Sequence, residues 1–344
     1  MKAFITLFFI LSCVTFKIAT AQKVGLDKVK FFEDTSIISA TITTNMVNLY
    51  RRKDKTGARF PGNLSFTDKD GTPVNDSIAL ETRGHFRKAN CSMPPLKIIF
   101  NYDSSAFTNP LEDLKLVNRC KNSETDEQCL LREFLIYKMY NLITNMSFRV
   151  RLLNINFVDN TGKKKTLSEH GFLMESTKSV AKRNHCKYRE NGKLDPRDAD
   201  RMQMATVAIF EYMIGNTDWG VGSDHNTKLL ISKTDSTQRP YVVPYDFDFS
   251  GLVNSNYAVP DPMFHTSSVR ERVYRDFPKT IEEINSVLDI FKAQKDSIYN
   301  LINHFDLLTS KSKKEMTQYL DEFFEMINKP DQVKKIFIDN ARTE

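Results

Sequence analysis

The chain has 344 residues, with 49 Lys and Arg against 43 Asp and Glu, a formal charge of +6. Hydrophobic residues make up 40% and charged residues 27%, a globular composition that excludes a disordered or fibrous chain. Gly and Pro, at 12 each, are too few for a low-complexity linker, and +6 spread over this length does not argue for nucleic-acid binding.

Lys2, the apolar run Phe4 to Val14, and Ala19-Thr20-Ala21 before Gln22 predict a secretory signal peptide over residues 1–21. Ile10-Leu11-Ser12-Cys13 leaves a lipoprotein signal as the alternative. No later segment reaches the ~18 apolar residues of a transmembrane helix. The remainder, at +4 over residues 22–344, is therefore expected to be exported without a membrane span, into the periplasm or the medium. Without Cys13, four cysteines remain, and an even count in an exported chain suggests disulfides. Three connectivities are open; the preferred one closes Cys120–Cys129 locally and Cys91–Cys186 at long range, with four free thiols as the alternative.

Residues 22–115 read as β-rich: Ser36 to Thr44 and Asp76 to Thr82 alternate, Pro94-Pro95 leads into a strand Leu96 to Phe100, and Leu114 to Val117 suggests another. Residues 126–145 show helical periodicity through Leu130, Leu131, Phe134, Leu135 and Leu142. Phe148 to Val158 and Thr166 to Glu175 form a hairpin around Asp159-Asn160-Thr161-Gly162, and residues 180–197 read as a polar loop. A second helix runs from Asp198 to Ile214. A short hairpin, Leu229 to Ser232 with Tyr241 to Val243, precedes Pro244-Tyr245-Asp246-Phe247-Asp248. From Thr280 onward the chain is amphipathic and helical. The composition shift divides it into a β-rich part with one long helix, 22–178, and a mainly helical part, 179–344.

The chemistry concentrates in Asn216 to Asn226 and Asp246 to Asp248. Carboxylates and a carboxamide on loops around a hairpin suit a hard divalent cation such as Mg²⁺, which shares its shell with substrate phosphates. Phosphoryl transfer needs the same parts: an Asp toward the nucleophile, and an Asn and an Asp on the metal. Upstream, Lys97 sits mid-strand among apolar residues, and Glu133 lies on a partly apolar side of the long helix, where an acid wants a basic partner.

These segments resemble the spore-coat protein H (CotH) kinase-like family, in exported bacterial form. The likeness covers residues 75–255 in order: Thr82-Arg83-Gly84, Pro94 to Phe100, Leu130-Leu131-Arg132-Glu133, Gly171 to Glu175, Asn216 to Asn226 and Pro244 to Asp248. It implies an α+β, two-lobed, atypical protein-kinase-like fold with a β-rich N-lobe and a mainly helical C-lobe. It also implies Asp218 as the catalytic acid, and Asn226 and Asp246 as ligands of Mg²⁺ or Mn²⁺. Lys97 would lie on the ATP phosphates, paired with Glu133. Met174 and Glu175 would lie near the adenine, and Arg83 and Gly84 at the phosphate-covering turn. Asp218 and Asn226 stand eight residues apart, wider than the H-R-D-x-x-x-x-N spacing, so Asp224 competes with Asp218 for the catalytic role. No G-x-G-x-x-G loop is present, and Asp-Phe-Asp replaces Asp-Phe-Gly. The expected function is an exported kinase-like phosphotransferase that uses ATP and Mg²⁺ on an acceptor hydroxyl, that of a protein before a carbohydrate or lipid. The alternative is an inactive pseudokinase, or a ligand-binding or assembly module of the cell envelope.

Overall fold

The computed structural model describes residues 28–68, 70–84, 86–100, 111–190 and 192–343; the signal segment and His85 lie outside them. Helix α1 (Lys28–Glu33), β1 (Ile38–Thr44), α2 (Met46–Arg51), β2 (Arg59–Thr67) and β3 (Pro73–Thr82) come first. They lead to α3 (Phe86–Asn90), β4 (Leu96–Phe100), β5 (Leu114–Asn118), the long helix α4 (Glu124–Ile143), β6 (Val150–Asp159) and β7 (Leu167–Met174). Next are α5 (Thr177–Arg183), β8 (Cys186–Arg189), α6 (Arg201–Ile214), β9 (Thr227–Ser232) and β10 (Tyr241–Pro244). Helices α7 (Ile281–Asn303), α8 (Ser310–Met326) and α9 (Pro330–Lys334) follow, α9 running into a π-helical turn at Lys335–Asp339. The segment expected to be a polar loop, 180–197, instead contributes the end of α5 and strand β8.

The seven strands of the N-terminal part close into a barrel in the order β1-β2-β3-β4-β5-β7-β6. Alternation sends Ile42, Phe60, Leu80, Leu96, Leu116 and Ile155 inward, each at most 1% exposed. This overturns the kinase-like two-lobed fold that the family likeness implied. The mixed α+β class and the helical C-terminal region stand, but the N-terminal part is a closed barrel and not a kinase-type N-lobe sheet. The reason lies in one parallel pairing: β1 runs alongside β6 from Ile38↔Leu153 to Thr44↔Asp159. That pairing removes the free edges that an open sheet would leave.

A second, larger core lies beneath the barrel. Helix α4 packs β6 and β7 on one side and α7 on another, and so is buried along most of its length, Arg132 and Glu133 included. Its start is capped by Ser123, whose hydroxyl accepts from Asp126 N at 3.1 Å. Helix α6 is capped by Asp200 and ends at Gly215 in the left-handed region, φ 67°. Beside it, β8, β9 and β10 form a three-stranded sheet with β9 in the middle. Arg270 and Arg272, near the Asp cluster in sequence, are structural: Arg270 donates to Gly251 O at 3.1 Å, and Arg272 to Met213 O at 3.2 Å.

The disulfide joins Cys91 to Cys120, while Cys129 and Cys186 are free thiols. Neither preferred pairing, Cys120–Cys129 or Cys91–Cys186, forms. The antiparallel register Leu96↔Leu116 of β4 and β5 brings the residues just before β4 alongside those just after β5. Cys129 is carried into α4, and Cys186 opens β8 in the other sheet.

Candidate functional site

The open end of the β9–β10 hairpin places two of the key side chains. Thr227 pairs with Pro244, and Tyr245 N donates to Asn226 O at 3.0 Å, so Asn226 and Asp246 stand on adjacent strands' ends. Asp246 N donates to the Tyr137 hydroxyl of α4 at 2.9 Å. Both residues hold left-handed backbone, φ 51° for Asn226 and 67° for Asp246, as does Asp224 at 53°. Asn and Asp visit this region more readily than other non-glycine residues, and such conformations gather at functional sites.

The eight-residue gap between Asp218 and Asn226 closes through a two-residue bridge. Gly220 and His225 exchange both backbone hydrogen bonds, each at 2.9 Å. Asn226 Nδ2 then donates to Asp218 O at 2.7 Å and to its Oδ2 at 3.1 Å, while His225 Nε2 meets Asp218 Oδ1 at 2.8 Å. Asn216, capping the loop from the end of α6, accepts from Asp218 N at 3.0 Å. Arg275 anchors the same loop from outside by donating to Thr217 O at 2.6 Å. With its amide nitrogen committed to Asp218, Asn226 keeps its Oδ1 as an acceptor.

Asp218, Asn226 and Asp246 line one cleft of about 580 Å³, a size ordinary for small-ligand sites. Arg83 and Gly84 form part of its opposite wall with Lys115. Arg83 is held by Leu96 O, to which its Nε donates at 3.2 Å, and Gly84 turns the chain at φ 74°. Asp224 also lines the cleft, with Lys228 Nζ 3.9 Å from its Oδ1.

The remaining residues singled out in the sequence lie elsewhere. Lys97 does not pair with Glu133: its Nζ stands 3.4 Å from both Glu81 Oε2 and Asp113 Oδ2. Glu81 and Lys97 are direct partners across β3 and β4, so the salt bridge follows from register. Glu133 is buried behind the cleft beside Arg87 and Asp248, around a small void of about 10 Å³. Met174 is buried in the larger core. Glu175 is consumed by Arg183, whose Nη2 lies 3.1 Å from its Oε2, and by the Ser179 hydroxyl at 2.8 Å. Neither faces the cleft.

Lys115, Arg87, Phe86 and Tyr245 line the cleft and were not singled out in the sequence. Lys115 carries a signal in hindsight: it is the cross-strand partner of Lys97, on the same face and one strand nearer to Asp246. Its ammonium sits 4.1 Å from the centroid of the Tyr245 ring.

The electrostatics follow from burial. Burial raises the Asp218 carboxyl, against the pull of His225. Burial, with the charge of Asp246 adding to it, pushes Asp248 up to about 7. Tyr257 donates to Asp248 Oδ2 at 2.8 Å, and Arg87 Nη1 lies 4.0 Å from the same oxygen. Burial and then the Arg83 charge push Lys115 down to about 7. Desolvation also holds Glu133 well above the usual carboxylate range, with Asp248 and Asp246 adding to it. Acids pushed up and a lysine pushed down within one concave site mark it as a candidate for chemistry. Among the described residues, no group of three or more His, Cys, Asp and Glu side chains is placed to hold a metal ion by itself. Set beside known proteins, the chain matches no protein-family model and no curated protein.

Proposed function

We propose that the chain is an exported phosphotransferase that uses ATP with Mg²⁺ or Mn²⁺ to phosphorylate a hydroxyl, a protein's before a carbohydrate's or a lipid's. The observation that carries it is the convergence of Asp218, Asn226 and Asp246 on one cleft faced by Arg83 and Lys115. The CotH likeness supports the reading through these same loop segments, without the kinase fold. Export is supported by the Cys91–Cys120 disulfide.

The oxygen donors fit a hard cation, which needs only one or two carboxylates when substrate phosphates and water complete its shell. Asn226 Oδ1 and Asp246 are the groups that would hold it. When bound, the ion supplies neutralisation of charge building on the phosphate oxygens. Asp218 orients the acceptor hydroxyl and takes its proton; burial makes it a better base than an exposed Asp. The acceptor oxygen–phosphorus bond forms as the bond from the γ-phosphorus to the bridging oxygen breaks, its electron pair leaving with ADP. Arg83 and Lys115 hold the phosphates in place, and positioning plus electrostatics supplies most of the rate.

A binding or assembly module without turnover is the second reading. One observation favours it: both carboxylate oxygens of Asp218 are already engaged, by His225 and Asn226. The deciding experiment titrates the mature, oxidised protein with ATP, with and without Mg²⁺ or Mn²⁺, and follows thermal unfolding beside Asp246→Ala. Ligand that binds only the folded state raises its stability by mass action. A metal-dependent shift that the variant loses supports the nucleotide site. No shift at millimolar nucleotide overturns the ATP-dependent reading.

A further inference from the structure

The cleft is lined by both polar and aromatic side chains. Arg83, Lys115, Asn226 and Asp246 are among the polar ones, and Phe86 and Phe249 among the aromatic ones. The two rings meet edge to face, 5.8 Å between centroids at 81°, and Tyr257 backs both at 5.6 Å. Tyr257 is itself fixed by its hydrogen bond to Asp248. Phe86 is 44% exposed and lines the cleft, so its ring is accessible to a ligand there. Of the exposed large apolar side chains among the described residues, it is the one that lines this cleft.

Resting on the phosphotransferase reading, we infer that Phe86, braced edge to face by Phe249, forms the base subsite and stacks the purine of the nucleotide whose phosphates lie against Arg83 and Lys115. The hinge-like position suggested by Met174 and Glu175 is closed, since both are buried and Glu175 is spent on Arg183. The other aromatic ring in the cleft, Tyr245, already carries Lys115 at 4.1 Å and Lys228 at 5.4 Å from its centroid. An aromatic wall beside a cationic and oxygen-donor patch complements a nucleotide, which is flat and apolar-faced at one end and anionic at the other. Neither phenylalanine offers a hydrogen-bond donor or acceptor. The wall therefore selects a π-face and not a particular purine, and ATP and GTP bind alike.

The test uses the mature, oxidised protein, Mg²⁺, and three probes: ATP, GTP and inorganic tripolyphosphate. Affinities are read by calorimetry for the wild type, Phe86→Ala, Phe86→Trp and Phe249→Ala. Stacking one base on an aromatic ring makes both nucleotides roughly tenfold or more tighter than tripolyphosphate in the wild type. That margin collapses in Phe86→Ala and returns in Phe86→Trp, while tripolyphosphate affinity is the same in all four and reports that the variants are folded. If the margin persists in both Phe86→Ala and Phe249→Ala, the base lies elsewhere and the inference falls, with the phosphate site intact. A wild type that prefers ATP strongly over GTP overturns it as well. If neither nucleotide nor tripolyphosphate binds the wild type, the phosphotransferase reading fails first and the base subsite with it.

Discussion

Glu211 offers a test of the site's foundations that needs no ligand. It lies in the last turn of α6, directly beneath the loop that carries Asp218, and is 1% exposed. Burial pushes its carboxyl up to about 8, against the pull of Asn216 and Arg275, and the nearby Asp218 charge adds to the rise. A negative charge at a helix C-terminus is unfavourable as well. The folded protein therefore keeps this proton up to about pH 8, whereas the unfolded chain releases it near the ordinary value of 4.5. Between those limits the native state binds one more proton than the unfolded state, so stability falls as pH rises. The slope is about 1.4 kcal/mol per pH unit, on the order of 4 kcal/mol between pH 5 and 8. Glu211→Gln removes that component: the variant matches the wild type near pH 5 and exceeds it by several kcal/mol near pH 8. Denaturant unfolding by fluorescence at pH 5, 6, 7 and 8 reads both proteins. Asp248 and Glu169 also titrate with raised values, but they are common to the two proteins and cancel in the difference. Parallel pH profiles for wild type and variant would refute the buried, proton-holding Glu211.

Four further outcomes are expected. Cys91→Ser with Cys120→Ser, or reduction, costs about 3–4 kcal/mol for a loop closed over 29 residues; identical unfolding midpoints with and without reductant would refute it. Gly215→Ala costs about 1–3 kcal/mol, because its φ is 67° and an added Cβ would collide with the Tyr319 hydroxyl; an unchanged melting temperature would show that the chain relaxes there freely. Asp218→Asn lowers turnover by roughly 100-fold or more while Mg²⁺–ATP affinity holds; steady-state kinetics beside calorimetry checks both, and an equal loss of affinity would favour the binding module. Lys115→Met weakens ATP binding roughly tenfold, as loss of a charge-assisted contact does, whereas Lys97→Met leaves it within a few-fold. The reverse ranking would mean that the nucleotide lies against Lys97.

Elements with strong local pattern were legible. Helix α4 was expected over 126–145 and spans Glu124–Ile143; the β6–β7 and β9–β10 hairpins and the helices after Thr280 also fall where periodicity and turn residues place them. What escaped depends on register between distant strands. Nothing local tells Ile38 that its neighbour is Leu153, so barrel closure is invisible in alternation alone. The same holds for Cys91 and Cys120, and for the choice between Lys97 and Lys115, which sit in near-identical strand patterns one strand apart. At the site, Asp218, Asn226 and Asp246 could be named from residue type and order, because oxygen donors on loops around a hairpin are few. Their actual contact could not, since the Gly220–His225 bridge and three left-handed residues create it. Phe86 is not legible in the sequence, because a lone aromatic before Arg87 and Lys88 looks like any surface residue until the fold sets it across from Phe249.

The Cys91–Cys120 bond gives the cleft a dependence on compartment. Cys91 N donates to Arg87 O at 2.9 Å, and Ser92 N to Cys120 O at 2.8 Å, so the short helix bearing Phe86 and Arg87 is stapled to the far end of β5. A helix of five residues has little stability of its own. Where thiols stay reduced, that side of the cleft is held without a covalent tie, by those backbone hydrogen bonds, by Arg87 against Asn118 O and Asp248, and by Phe86 against Phe249 and Tyr257; where they oxidise, the disulfide fixes it further. The rigidity of this one wall, and with it the spacing between Phe86 and the loops that carry Asp218 and Asp246, is thereby tied to the redox state of its surroundings.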